Sequence, residues 1–289
     1  MGLKGTIRVG VAIAAAAVAA WYLGRNRERK KTDRLAIKLL DTLPPKPPGK
    51  VRFSNFTDLP SPVARYLKLV LKDGQRFIRS AGIRQAGVLR TSTQSDRWLA
   101  FTARQIVVPG APGFVWNARV QTPLGAHLRV VDSYMAGRGA GAVSLLSAFP
   151  LSSESGSMEL DSGSLLRYLA EAVWYPTALL PESGVVWTPI DDATALATLS
   201  DRDTTVSLEF RFDKSGEVTG IYSPGRFGRF EGRFKKIPWE GHFRNYREHG
   251  GLRVPGYAEV GWHGLWGWQP VWKGNLVGIQ FALTDATDA

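Results

Sequence analysis

The chain has 289 residues, no cysteine and a formal net charge of +12. The length allows one large domain or two small ones, and the missing cysteine excludes disulfides, thiolate zinc sites, a cysteine nucleophile and a lipid-modified N-terminal cysteine. The charge is uneven: residues 1–50 hold eleven Lys/Arg against three acids, residues 51–289 twenty-six against twenty-two, so the bulk is near balance and no nucleic-acid partner is expected.

In chain order the first feature is an apolar run, VGVAIAAAAVAAWYL, Val9–Leu23. Fifteen helical residues reach about 22 Å, short of the roughly 30 Å hydrocarbon core, but Ile7 and Gly24 extend the run and Arg8 can snorkel at its end. A cleaved signal peptide is the competing reading, because Ala17, Val18 and Ala19 offer small residues at the right spacing. Arg25, Arg27, Arg29, Lys30 and Lys31 follow at once. Such a cluster resists translocation and marks a cytoplasmic flank. Residues 1–24 therefore read as an uncleaved single-pass membrane anchor, and a basic tail beside an apolar run points to anionic lipid headgroups. Residues 25–50 read as a basic juxtamembrane helix, with Leu35, Leu39, Leu40 and Leu43 at helical spacing, followed by a Pro-rich spacer at 44–49 that holds the domain off the anchor.

Residues 51–289 read as a single β-rich domain. It opens on a short helix with Ser61 as N-cap, Pro62 at the first helical position and Gly74 after the last turn. Alternation is clear at 114–120, with Phe114, Trp116, Ala118 and Val120 on one face. It recurs at 204–212, with Val206, Leu208, Phe210 and Phe212 on one face. Less regular strands are expected at 84–90, 97–108, 126–134, 185–190, 194–200, 217–224, 227–236, 239–248, 254–262 and 275–283. The other helix is 164–175. Its Leu165, Leu166, Leu169 and Val173 form an apolar face opposite a stripe of Arg167, Glu171 and Trp174. Pro176 removes a backbone donor and ends it. The fold class expected is α+β and mostly antiparallel β: a curved sheet or unclosed β-barrel with two helices packed on or inside it, plus the N-terminal anchor helix.

Residues for chemistry are few. The four histidines show no metal-binding spacing, and no nucleophile elbow, P-loop or dinucleotide fingerprint is present, so no catalytic residue, cofactor or metal is assigned. Asp191 and Asp192 read as turn residues. In AHLRVVDSY, alternation puts Leu128, Val130, Asp132 and Tyr134 on one face. An inward Asp132 needs a partner, and Arg167 is a plausible one, either as a buried ion pair fixing helix to sheet or as a polar group lining a cavity. Five of the ten tryptophans lie in 239–272. Core packing, carbohydrate stacking and a membrane-interface belt are all open for them.

PGFVWNARV (112–120), VDSYMAGRGAG (131–141), RYLAEAVWYPTALLP (167–181), VWTPIDDATALATL (186–199), FDKSGEV (212–218) and the segment 239–262 together resemble an uncharacterised bacterial domain family over roughly residues 60–283. More loosely, the layout resembles the lipoprotein-carrier-like half-barrel superfold, in which helices cover an apolar cavity that takes acyl chains. The resemblance brings no catalytic residues, and fold analogy gives no function by itself.

The function expected is a membrane-anchored, non-enzymatic module holding a lipid or other hydrophobic ligand in a half-barrel cavity. Trp116, Tyr134, Trp174, Tyr175 and Trp187 line or gate it, and Asp132, Arg167 and Glu171 make its polar contacts. An alternative is an accessory subunit docking on an integral membrane protein complex through Trp262, Trp266, Trp268 and Trp272. A third is an acid/base enzyme using Asp132, Glu171 or Asp192. The location expected is the bacterial inner membrane, with the domain on the cytoplasmic side by charge bias and the periplasmic side as the alternative.

Overall fold

The computed structural model describes residues 3–44 and 49–284, and for residues 3–17 and 124 the backbone alone. Three α-helices run among these residues: α1 (Leu3–Leu40), α2 (Ser61–Val70) and α3 (Met158–Glu171). The strands are β1 (Ile78–Leu89), β2 (Leu99–Val108), β3 (Gly113–Gln121), β4 (His127–Met135), β5 (Arg138–Leu145), β6 (Phe149–Ser155), β7 (Val185–Asp191), β8 (Thr194–Asp201), β9 (Thr204–Phe212), β10 (Val218–Phe230), β11 (Arg233–His249), β12 (Leu252–Gly264) and β13 (Gly267–Leu283).

All thirteen lie in one sheet ordered β6-β5-β4-β3-β2-β1-β13-β12-β11-β10-β9-β8-β7. The chain lays down one arm outward from β1 to β6, crosses, and returns inward along a second arm from β7 to β13, where β13 pairs antiparallel with β1. The outer strands β6 and β7 do not pair with each other, so the sheet curls into an unclosed antiparallel half-barrel. The crossing segment is α3, which packs against β4 and β5 of one arm and β9 and β10 of the other.

Alternation explains the inner face: Phe114, Trp116, Ala118, Val120, Val206, Leu208, Phe210 and Phe212 are all buried. The outer face holds a second, smaller core. Leu39 of α1 packs there on Val108 of β2 and Val115 of β3, flanked by Leu35, Leu43 and Met135. Val115 sits on the polar side of its strand by alternation, yet it is buried because α1 covers it. The helical stretch 25–43 thus lies on the domain surface. Of the Pro-rich spacer, residues 45–48 fall outside the described residues.

Several expectations are corrected. Ser61 lies inside α2 rather than capping it, and its Oγ accepts from Arg65 Nη1 at 2.8 Å. The helix expected at 164–175 begins a turn and a half earlier, where Ser157 caps it by accepting from Leu160 N, and it tightens into a 3-10 turn at Ala172–Trp174. Strands β5 and β6 were not expected. Glycine and alanine in β5 hide its alternation, and they are there because α3 lies close: a Cβ on Gly139 would stand 2.6 Å from Leu160 O. The segment 227–236 is the tip joining β10 to β11, with Glu231 and Gly232 at φ 52° and 79°. Among the described residues no helix is long and apolar enough to cross a membrane. The expected anchor, residues 1–24, falls mostly on residues whose side chains lie outside the described set.

Candidate functional site

Between α3 and the inner face of the sheet, with walls from both arms, lies a cavity of about 290 Å³. Its walls are apolar: Val130 of β4, Ile221 of β10, Phe243 of β11, Ala258 and Val260 of β12, and Val271 and Trp272 of β13. Trp116 closes it on the β3 side, held by its Nε1 donating to Gln85 Oε1 at 2.8 Å. Trp174 closes it below α3, its Nε1 donating to Pro255 O at 3.0 Å and its ring edge-on to Phe243. A rigid aromatic wall follows, because each indole N–H is already satisfied.

One end of the cavity is charged. Arg167 Nη1 donates to Asp132 Oδ2 at 2.9 Å, and Arg167 Nε donates to Glu171 Oε1 at 2.8 Å. Glu171 Oε2 accepts from Gln105 Nε2 at 2.6 Å. The Arg167 guanidinium also lies over the rings of Phe114 and Trp116, at 5.0 and 4.9 Å. One arginine therefore holds helix to sheet and neutralises two carboxylates. Asp132 is 36% exposed, but it lines the cavity. Burial pushes its carboxyl above the ordinary value, and the Arg167 charge only partly opposes this. For Arg167, burial disfavours the cation, yet Glu171 and Asp132 outweigh it and raise the pKa.

A second arginine completes this end. Arg226 lies between Trp239 and Trp262, at 4.7 and 5.2 Å from the ring centres, and donates from Nε and Nη2 to Gly163 O at 3.3 and 3.0 Å. No carboxylate stands within ion-pair distance of it among the described residues. Burial, and then the Arg167 charge, pulls its pKa down to about 10. Arg90 also lines the cavity, its Nε donating to Pro270 O at 2.6 Å. Arg90 is itself within 3.9 Å of Asp96, so of the three arginines lining this apolar space Arg226 is the one with no carboxylate beside it among the described residues.

The residues expected at a site divide clearly. Trp116, Asp132, Arg167, Glu171 and Trp174 line this cavity. Tyr134, Tyr175 and Trp187 do not. Tyr134 is fully buried, its hydroxyl donating to Asp201 Oδ2 at 2.9 Å, at the end that the first turn of α3 fills. Tyr175 donates to Tyr168 O at 2.7 Å inside the core, and Trp187 packs on Phe210 with its Nε1 donating to Leu179 O at 2.9 Å. Of the expected interface tryptophans, Trp272 lines the cavity and Trp262 is buried beside Phe230. Trp268 is half-buried against His242, and Trp266 alone of the four stands free. Asp192 is at an exposed turn, its carbonyl accepting from Arg65 Nη2.

Sequence reasoning missed Arg90, Arg226 and Phe243. Arg226 sits beyond a bulge in β10 within SPGRF, which reads as a turn, and its two tryptophan neighbours come from other strands. No local signal marks it. It also missed a cluster on the outer face, where His242 and His263 Nε2 meet Glu240 Oε1 and Oε2 at 3.0 and 2.6 Å and Arg211 joins Oε1 at 3.0 Å. Burial pushes the Glu240 carboxyl up, but these hydrogen bonds and the Arg211 charge outweigh it and leave the pKa lowered. Among the described residues no group of three or more His, Cys, Asp or Glu is arranged to hold a metal ion.

Chemically, the cavity can bind. An apolar wall with a charged end has the chemistry to suit an amphipathic molecule, while Asp132 and Glu171 are bridged by one guanidinium rather than left free to exchange protons.

No curated protein matches the chain. Among solved structures the fold is similar to a LolA superfamily protein of Nitrosomonas europaea, 10% identical, with a TM-score of 0.42, over 78% of this chain and 94% of that chain. It is also similar to a candidate outer membrane lipoprotein-sorting protein domain of Vibrio parahaemolyticus, 11% identical, with a TM-score of 0.39, over 72% of this chain and 88% of that one. A β-barrel-like protein of the domain of unknown function DUF1849 from Brucella abortus is 10% identical, with a TM-score of 0.25, over 72% of this chain and 99% of that one. Residues 49–274 match the family of unknown function DUF6544, and the chain belongs to that family.

Proposed function

We propose that this protein is a membrane-anchored binding module that holds a hydrophobic or amphipathic small ligand, in particular a lipid chain, between α3 and the sheet. The observation that carries the reading is the cavity of about 290 Å³, walled by aromatic and aliphatic side chains and charged at one end. Its volume is near the lower end of ligand pockets, roughly 300–1,000 Å³, which suits a single chain rather than a bulky multi-chain lipid. Anchoring rests on the apolar run Val9–Leu23 and the basic residues after it, and the same charge bias supports the cytoplasmic side of the inner membrane over the periplasmic side. Native mass spectrometry with lipid extraction of the purified chain tests the ligand. A co-purifying amphiphile displaced by N-phenyl-1-naphthylamine supports the reading; an empty protein that takes up no such probe overturns it. Protease protection in intact cells tests the side.

A second reading has one observation in its favour. Leu265 and Trp266, at the tip between β12 and β13, are 98% and 88% exposed. The neighbouring β10–β11 tip carries Arg229, Arg233, Lys235 and Lys236 on its exposed surface. An apolar point beside basic residues fits a membrane surface or a membrane-protein partner. Because the chain lacks cysteine, Leu265→Cys carrying an environment-sensitive fluorophore reports on this tip alone. A blue shift on anionic vesicles favours contact with lipid, and a shift only when a membrane protein is added favours the accessory role.

A further inference from the structure

We infer that the groove between α1 and the outer face of the sheet is a binding site for the phosphate-bearing headgroups of anionic phospholipids. The groove has a volume of about 650 Å³ and is lined by Arg84, Arg104, Arg119 and Arg129 from four consecutive strands and by Arg25 and Arg29 from α1. It lies on the opposite face from the inner cavity and does not depend on what that cavity holds.

Register makes the arrangement unusual. Arg84 stands directly opposite Arg104 across β1 and β2, and Arg119 directly opposite Arg129 across β3 and β4. Like charges placed opposite each other on one sheet face destabilise it, and here two such pairs lie side by side. Among the described residues the sole carboxylate within 4 Å of any of the six is Asp33, 3.8 Å from Arg29 with both side chains well exposed. Arg129 is held in place by Nε donating to Asn117 Oδ1 at 3.0 Å and Nη2 donating to Thr32 Oγ1 at 2.9 Å. These bonds aim a cation at the groove without neutralising it. The field is felt nearby: burial, and then Arg119, Arg25 and Arg129, lowers the pKa of His127.

Guanidinium groups present forked donors that match phosphate oxygens in pairs, so an anion seated among the six would remove the repulsion and fill the donors. The surroundings favour lipid over nucleic acid. Immediately before Arg25 the same helix exposes Val18, Tyr22 and Leu23, at 62%, 58% and 68%. Trp21 lies within stacking reach of Arg25, 5.4 Å from ring centre to guanidinium carbon. An aromatic and apolar band next to basic side chains is the pattern of a membrane interface. The near balance of charge beyond residue 50 gives no extended track for a polyanion.

The test is thermal unfolding of the full chain in zwitterionic detergent, with dihexanoyl phosphatidylglycerol, dihexanoyl phosphatidylcholine, inorganic phosphate or a single-stranded oligonucleotide as probe. Binding to the folded state alone raises Tm with ligand concentration. We expect phosphatidylglycerol to raise it and phosphatidylcholine not to. The double variant Arg104→Gln/Arg119→Gln, one member from each opposed pair, should weaken phosphatidylglycerol binding about thirtyfold while matching or exceeding the wild-type Tm without lipid. An equal response to phosphatidylcholine, an equal response to inorganic phosphate, a stronger response to the oligonucleotide, or unchanged affinity in the double variant would each overturn the inference. Should the variant not fold, the wild-type chain still decides: affinity for phosphatidylglycerol must fall as salt rises, and a flat salt response overturns it.

Discussion

Arg167 and Asp132 meet at 2.9 Å across 35 residues of sequence, one from the helix inside the half-barrel and the other from the inner face of β4. With Glu171 on the opposite side of the guanidinium at 2.8 Å, this contact ties α3 to the first arm of the sheet and forms the floor of the cavity.

Replacing Arg167 by Met should leave two partly buried carboxylates without a counter-charge. Removing one partner of a fully buried pair costs about 3–5 kcal/mol; here partial exposure reduces the expected loss to about 2–3 kcal/mol. Urea unfolding of Arg167→Met against wild type measures it. Arg167→Lys, which cannot reach both acids with a planar fork, should recover part of the loss.

Two carboxylates should respond to pH in opposite senses. The Asp132 pKa is raised, chiefly by burial. Its contribution is therefore fully present below the unfolded value of about 4 and is lost as pH rises through the raised folded value. The Glu240 pKa is lowered despite burial, by His263, His242 and Arg211. Its contribution is present above the unfolded value of about 4 and is lost as pH falls through the lower folded value. Relative to wild type, Glu240→Gln should flatten the loss of stability on acidification. Asp132→Asn should instead remove a decline that sets in as pH rises from the unfolded value of about 4. Denaturation midpoints from pH 3 to 8, an interval spanning ordinary carboxylate and histidine titrations, separate the two.

Arg226 is the cation of the cavity without a carboxylate beside it. If the ligand is an amphiphile with an anionic head, Arg226→Gln should weaken binding of decanoate about 10–100-fold, the worth of a hydrogen bond to a charged group. Binding of decanol should change little. Displacement of N-phenyl-1-naphthylamine by each compound reads this directly, and equal losses for both would show that Arg226 only supports the wall.

Leu39 decides whether α1 belongs to the folded domain. It is completely buried on the outer face against Val108 and Val115, so Leu39→Ala should cost about 2–4 kcal/mol. Leu40, one residue on and 38% exposed, should tolerate the same change within about 0.5 kcal/mol. Equal, small effects at both positions would mean that the helix does not dock.

Much of the fold was legible because local rules agreed there. The 204–212 alternation corresponds residue for residue to β9, and the Asp132–Arg167 contact followed from an inward carboxylate needing a counter-charge. Where small residues stand at a close approach, as at Gly139 beneath α3, alternation vanished and β5 was lost with it; β6, FPLSSES, is mostly exposed and carries no buried apolar alternation to read. Tyr134, Tyr175 and Trp187 look like cavity residues by face and type, and nothing local says that each is packed into the core, away from the cavity. Arg226 could not be read at all, because its partners come from β11, β12 and α3.

By itself the sequence determined the class of object: a basic, apolar N-terminal stretch, a β-rich domain of alternating strands, and a helix with one leucine face and one charged stripe. Those properties live in spacings of two to four residues, where backbone geometry alone dictates which side chains share a face. The tertiary structure decided which faces meet. Folding two arms of the sheet around α3 left space under Arg167, Arg226 and Trp174 and none beside Tyr134. Laying α1 on the outer face put six arginines around one groove. Such outcomes depend on contacts between residues far apart in the chain, and the free energy of those contacts is set by packing and charge in three dimensions.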